Sequence, residues 1–226
     1  MHKIAEPSIL YFGTPVVLIS TVNDNGTYNL APISSIFWLG WRCVIGISAL
    51  SRTTANLLRN KEGVLSLPSV DQARQVNALA LTTGSNPVPE GKQKKGYRYE
   101  PDKFGLAGLT PAAADTVTAP RVLECPVQKE VVVEDVHSIA EKYEDQRGRI
   151  LTLELRVQRI HLDESILMDG HPNRVDPDKW RPLIMSFQEF YGLGEKIYSS
   201  RLATIPEKEY RTPDHERAPR SYHAAS

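Results

Sequence analysis

The chain opens its structured part with Pro15-Val16-Val17-Leu18-Ile19-Ser20-Thr21-Val22, β-branched and almost continuously apolar, as in a strand buried on both faces. It stops at Asn23-Asp24-Asn25-Gly26, where the Asn-Gly step favours positive φ and predicts a tight hairpin. The partner strand runs from Thr27 into Ala31-Pro32. The apolar stretch from Ile33 to Leu50 is long enough to suggest a membrane span. However, it contains Arg42, and Trp38-Leu39-Gly40-Trp41 reads as a turn between two buried strands, the second being Cys43 to Ser48. A short helix is predicted over Arg52 to Asn60, with Leu57 and Leu58 on its buried side and Gly63 as its cap, followed by the strand Val64 to Leu67.

Residues Val70 to Leu81 have helical spacing. From Thr82 to Thr110 prolines, glycines and lysines break the pattern into a long loop, either a functional lid or a solvated excursion. Alternation returns in Val122 to Val133 and Ile150 to His161, with a short helical stretch expected near His137 to Tyr143. A loop from Asp169 to Trp180 leads to Pro182–Phe187 and the aromatic run Phe187-Gln188-Glu189-Phe190-Tyr191. Residues 1–210 form a single expected domain, and 211–226 read as a flexible tail or an arm lying on a partner. Antiparallel hairpins with brief helices indicate a mainly β protein with short helices, a barrel of Greek-key character. No dinucleotide-fold Gly-x-Gly-x-x-Gly or Walker loop occurs.

Across 226 residues, 41% are apolar and 24% charged, which suits an ordinary globular chain. The 27 basic residues balance 27 acidic ones, so no general field draws the chain to nucleic acid or an anionic membrane, and a bound anion needs a local site. The N-terminus lacks an uninterrupted apolar signal region, and Cys43 and Cys125 stand apart in apolar surroundings; a cytoplasmic location with two buried thiols is expected. His137, His161 and His171 are isolated, so no metal site is expected, and Lys92, Lys94 and Lys95 read as a solvated loop face.

One segment has the composition of an anion site. Ser51 is a good N-cap, leaving helix N–H groups facing outward, while Arg52, Thr53, Thr54 and Asn56 add donors in the first turns. A helix start normally carries acids; this one carries Arg52, and a bound phosphate would correct the mismatch. Spacing alone is equally compatible with a capped surface helix whose arginine points into water.

Three segments in register, Pro15–Thr21 with the Gly26 hairpin, Asn29-Leu30-Ala31-Pro32-Ile33-Ser34-Ser35, and Ser51-Arg52-Thr53-Thr54-Ala55-Asn56-Leu57, resemble the flavin reductase-like family of the FMN-binding split barrel, over roughly residues 10 to 200. The resemblance implies a homodimer with FMN at the interface. It places Asn29, Ala31, Pro32, Ile33, Ser34 and Ser35 along the isoalloxazine ring, and Ser51, Arg52, Thr53, Thr54 and Asn56 at the phosphate. Asp102–Leu109 resembles the segment approaching the open flavin face; Trp180–Leu183 and Phe190–Gly194 resemble the late strand and closing turn. The Gly-Asp-His motif that many smaller members associate with nicotinamide use is replaced by Glu144-Asp145-Gln146-Arg147-Gly148-Arg149. The implied activity is hydride transfer from NADH or NADPH to flavin N5, with reduced flavin passing to a partner monooxygenase. A terminal flavoprotein acting directly on an organic substrate, and an FMN carrier or sensor, are the alternatives. No side chain is singled out as a proton donor.

Overall fold

A computed structural model describes residues 1–218. Its centre is a seven-stranded antiparallel sheet built from β1 (Val17–Val22), β2 (Tyr28–Ile33), β3 (Ile36–Leu39), β4 (Arg42–Ser48), β5 (Glu62–Leu67), β6 (Val127–Ser138) and β7 (Ile150–Leu162). The strand order is β2-β1-β5-β6-β7-β4-β3, so the first hairpin and the second lie at opposite edges. The sheet curls around one core, in which Val17, Ile19, Ile45, Leu65, Val131, Leu153 and Leu155 are each fully enclosed. Two register shifts in β6, at Glu130/Val131 and Val133/Asp135, supply the bends that a closing sheet needs.

The continuous apolarity of β1 has a structural cause. Val17 and Ile19 face the barrel, whereas Leu18 joins a second core outside it with Val16, Leu30, Val76, Leu79 and Phe104. That second core holds α2 (Ala73–Ala78) and α4 (Lys103–Ala107) against the outer face of the sheet. The Asn23–Gly26 turn closes as expected: the Asn23 N–H donates to the Thr27 carbonyl at 2.8 Å and Gly26 has φ +81°. Gly40 at φ +60° turns β3 into β4.

Helix α1 (Arg52–Asn60) has its expected bounds. Its C-cap, however, is Lys61 in the left-handed region, with its N–H on the Leu57 carbonyl. Gly63 instead lies inside β5, where a Cβ would meet Leu57 Cδ2 at 3.0 Å and the Ser20 carbonyl oxygen at 3.2 Å. The glycine is needed for close packing rather than for φ.

Three other expectations need correction. The helix expected near 137–143 is absent, because β6 runs on to Ser138 and turns fill 139–149. The 82–110 segment is not unstructured: Thr82–Thr83 pairs in parallel with Arg98–Tyr99, and it contains α3 (Glu90–Gln93) and α4. The expected loop 169–180 contains a strand, His171–Val175. At the other end, α5 (Pro213–Arg217) is docked where a flexible tail was expected. Asp214 accepts from Arg42 Nε at 2.7 Å, Arg42 also bonds Glu154, and Trp41 meets the His215 ring edge-on at 5.0 Å. The rest of that expected tail, 219–226, lies outside the described residues.

Among the described residues no helix is long and apolar enough to cross a membrane. Cys43 and Cys125 are free and buried, and burial pushes the Cys43 thiol up to about 12.

Candidate functional site

A cleft of about 190 Å³ opens between the start of α1 and the 79–103 segment. Asn29, Ala31, Pro32 and Ile33 of β2, with Ile47 and Ser48 at the end of β4, line one side. Ser51, Arg52 and Thr53 line the helix end, and Leu79 to Gly84, Lys92, Tyr97 and Lys103 form the opposite wall.

The helix start has the geometry of an anion site. Ser51 Oγ accepts from the Thr54 N–H at 3.0 Å, and the Ala55 N–H bonds the Ser51 carbonyl at 3.1 Å. The N–H groups of Arg52 and Thr53 find no acceptor among the described residues, so two donors stay free at the positive end of the helix dipole. Arg52 is held in place by its Nε, which donates to the Gly84 carbonyl at 3.1 Å, while its Nη1 lies 3.8 Å from exposed Asp24.

Two lysines reach the same cleft from the opposite wall. Lys92 Nζ donates to Thr83 Oγ1 at 3.2 Å and lies 5.5 Å from the Tyr97 ring centroid. Lys103 is 4% exposed and has no hydrogen bond or ion pair among the described residues. Burial, with Lys92 nearby, pulls its ammonium down to about 8; Glu100 offsets this only in part. Burial likewise lowers Lys92. The lining thus has three cations and no carboxylate, in a chain whose net charge is zero. Desolvated, unpaired ammonium groups are costly unless an anion joins them.

Asn29 carries a second unmet demand. Its Nδ2 donates to Thr53 Oγ1 at 3.0 Å, but its buried Oδ1 has no donor. Gly84 packs against it so closely that a Cβ there would overlap the Asn29 side chain and meet Arg52 Cγ at 3.1 Å.

The expected site residues therefore divide into two groups. Asn29, Ala31, Pro32, Ile33, Ser51, Arg52 and Thr53 gather at the cleft. Thr54 and Asn56 are fully buried, with their donors spent inside the chain. Thr54 Oγ1 donates to the Ser48 carbonyl at 2.7 Å, and Asn56 Nδ2 donates to Thr21 Oγ1 at 3.0 Å and Asn23 Oδ1 at 2.9 Å. They pin the helix start to the sheet. Ser34 and Ser35 sit in the link from β2 to β3, outside the lining, with Ser35 Oγ 3.1 Å from the Tyr11 hydroxyl.

Sequence reasoning assigned Lys92 to a solvated face with Lys94 and Lys95. Lys94 is exposed beside Glu90 at 2.7 Å, but Lys92 turns inward. The usable signal was Lys103 itself, a cation between the cap Asp102, which accepts from the Gly105 N–H at 2.9 Å, and the buried Phe104.

His161 is not isolated either. It meets buried Glu130 at 2.7 Å and lies 4.0 Å from Asp115. Burial pushes the Glu130 carboxyl up, but bonds from the Asp115 and Thr116 N–H groups, the Thr116 hydroxyl and His161 outweigh it and hold the carboxyl below its usual range. Asp115 is paired with Arg159 at 2.6 Å. The carboxylates are already satisfied, as in a structural network that pins the 115–116 turn to the barrel.

Comparison with known proteins follows the same lines. The family model described as the flavin reductase like domain matches residues 9–193. The uncharacterized protein YdfE of Bacillus subtilis (strain 168) is 35% identical over 195 residues, covering 86% of this chain and 91% of its own length. Flavoredoxin of Desulfovibrio vulgaris (Miyazaki F) superposes with a TM-score of 0.71 at 21% identity, over 91% of this chain and 100% of its own. Nitrilotriacetate monooxygenase component B from Bacillus cereus gives 0.66 at 21% identity, over 85% and 89%. At these identities the solved structures share the fold, a split barrel.

Proposed function

The chain belongs to the flavin reductase-like domain family, and on that premise we propose that it is an FMN-dependent oxidoreductase with the flavin phosphate at the start of α1. The observation that carries the reading is the charge of the cleft. Arg52, Lys92, Lys103 and two open helix N–H groups converge on a cleft whose lining contains no carboxylate, with Asp24 and Glu100 outside it offsetting the charge only in part. A phosphate monoester answers that demand with about −1.5 to −2 charge and several acceptor oxygens.

In this reading Ser51, Arg52 and Thr53 hold the phosphate, while Thr54 and Asn56 fix the helix start that presents them. Asn29, Ala31, Pro32 and Ile33 run along the ring, and Asn29 Oδ1 offers an acceptor to a ring N–H. Ser34 and Ser35 continue that line toward β3. Lys103 places positive charge where the ring system gains electrons. When bound, the flavin supplies hydride acceptance at N5 from NADH or NADPH, and the protein contributes position and field. The single-chain cleft, about 190 Å³, is smaller than the roughly 300–1,000 Å³ of sites that enclose a whole cofactor, which supports a homodimer whose second chain completes it. Reduced flavin would then serve a partner monooxygenase.

The structured wall over 79–103 favours a second reading, direct action on an organic substrate beneath that wall. The purified protein's absorbance spectrum, with FMN and FAD added separately, followed by anaerobic NADH and NADPH titration, tests both. A yellow protein bleached rapidly by one nicotinamide supports the reductase. Tight FMN with slow reduction by both supports the second reading or a carrier. No chromophore and no FMN-induced rise in melting temperature would overturn the assignment.

A further inference from the structure

Residues 192–211 contain a feature that the cleft does not explain. Every residue from 191 to 211 is exposed, including Ile197 at 98%, Tyr198 at 86% and Leu202 at 67%. The backbone hydrogen bonds of 192–211 are local turns, such as Ala203 N–H to the Ser200 carbonyl and Ile205 N–H to the Leu202 carbonyl; none reaches another element. Yet side chains tie the segment down along its length, through Lys196 to Asp178 at 2.6 Å and Arg174 to Glu207 at 2.9 Å, and Asp214 to Arg42 fixes the helix just beyond it. Residues 192–200 have no regular structure and the rest carries two short 3-10 turns, Arg201–Thr204 and Glu207–Tyr210. Holding these twenty residues on the surface costs conformational entropy, and large apolar side chains in water return nothing for it. Such a strap is complete only against another surface.

The same chain offers a complementary surface. β3 is an edge of the seven-stranded sheet, paired only with β4. It exposes Phe37 at 53% and Leu39 at 70%, and its outer backbone bonds nothing among the described residues. An unpaired edge with apolar side chains accepts an extended segment by strand addition. Because strap and edge belong to one sequence, a two-fold pair satisfies both twice.

We propose that residues 192–211 are an arm that lies along the free edge of β3 of a second copy of this chain, beside the Ile33 rim of that copy's cleft. The inference rests on the dimeric flavin site proposed above. The arm covers the Ser34-Ser35 link and keeps water from the ring edge.

Two tests on variants of the full chain decide it. F37C protein is mixed with Y198C protein under mild oxidation; the natural cysteines are buried and do not compete. A disulfide joining the two different chains is expected, and little forms within either sample alone. In the second test, I197D/Y198D raises the dimer dissociation constant roughly 30-fold or more by sedimentation. Its circular dichroism stays unchanged, since neither residue touches the core. A monomeric wild type, an unchanged dissociation constant, or failure of the mixed disulfide overturns the proposal. Wild-type flavin absorbance, read in parallel, separates the two ideas. A yellow monomer sinks the arm and spares the flavin site, whereas a colourless cross-linked dimer does the reverse.

Discussion

Replacing Lys103 with methionine separates stability from binding, because the ammonium burdens the empty protein and serves the occupied one. The side chain is 4% exposed, and burial, aided by Lys92, lowers its ammonium to about 8 from an unfolded value of about 10.4. At about 1.36 kcal/mol per pH unit, keeping the charge in the empty cleft costs about 3 kcal/mol at pH 7. Methionine keeps the apolar stem without the charge, so K103M without flavin should melt roughly 6 to 12 °C higher than the wild type. The sign of the pH dependence follows from proton counts. Between about pH 8 and 10.4 the folded wild type binds fewer protons at Lys103 than the unfolded chain, so its stability rises across that window and is level below it. K103M lacks that rise. FMN affinity should move the other way, falling roughly 10- to 100-fold in K103M at pH 7 with the loss of a charge-assisted contact. Wild-type affinity should fall as pH climbs above 8, and that of the variant should stay flat. Thermal melts and flavin fluorescence titrations at pH 7 and 9 read both effects. A lower melting temperature for K103M without flavin, or an FMN affinity within twofold of wild type, would refute the reasoning.

Ser51→Ala removes the hydroxyl that accepts the Thr54 N–H and should cost about 1 kcal/mol in chemical denaturation, together with FMN affinity. Gly84→Ala places a methyl group on the Asn29 side chain and against Arg52, and should weaken FMN at least several-fold in the same titration while the barrel's circular dichroism holds. Glu130→Gln puts an amide against donors that need two carboxylate oxygens and should cost about 3 kcal/mol in urea. Because the Glu130 carboxyl is held below its usual range, its contribution is present above the unfolded carboxylate value and lost as pH falls through the folded one. Acid titration of the wild type should therefore show a transition that E130Q lacks.

The barrel could be read from local pattern because its strongest signals are local. Alternation and continuous apolarity locate β1, β2, β6 and β7; an Asn-Gly step locates the first turn; a Ser cap locates α1. Each depends on residues close in sequence, where backbone preference and side-chain direction act together. The errors arose where a local preference had a distant competitor. Gly63 looks like a helix cap, but the approach of Leu57 and Ser20 requires it in a strand, and Lys61 takes the left-handed turn. The 137–143 stretch has helical spacing, but pairing with β7 carries the strand through Ser138.

By itself the chain determined a capped helix start without an acid, preceded by the Asn29–Ser35 strand on a β scaffold, a pattern that suits an anion site and a capped surface helix equally. Whether each polar side chain of that segment faces a ligand or the sheet was a tertiary matter. Thr53 and Asn56 are similar as donors, yet β1 and the turn after it supply Thr21 and Asn23 to Asn56, while Thr53 reaches the cleft beside Asn29. Lys92 and Lys94 are two residues apart and chemically the same; the turn of α3 sends one to solvent and the other inward. Lys103 is distant in sequence from Arg52, and only the packing of Phe104 and Leu79 onto the outer face of the sheet brings its charge to the cleft. Local spacing encodes a helix terminus because hydrogen bonds there span a few residues. A charge cluster is a sum over distant segments, and that sum exists only once the core has brought them together.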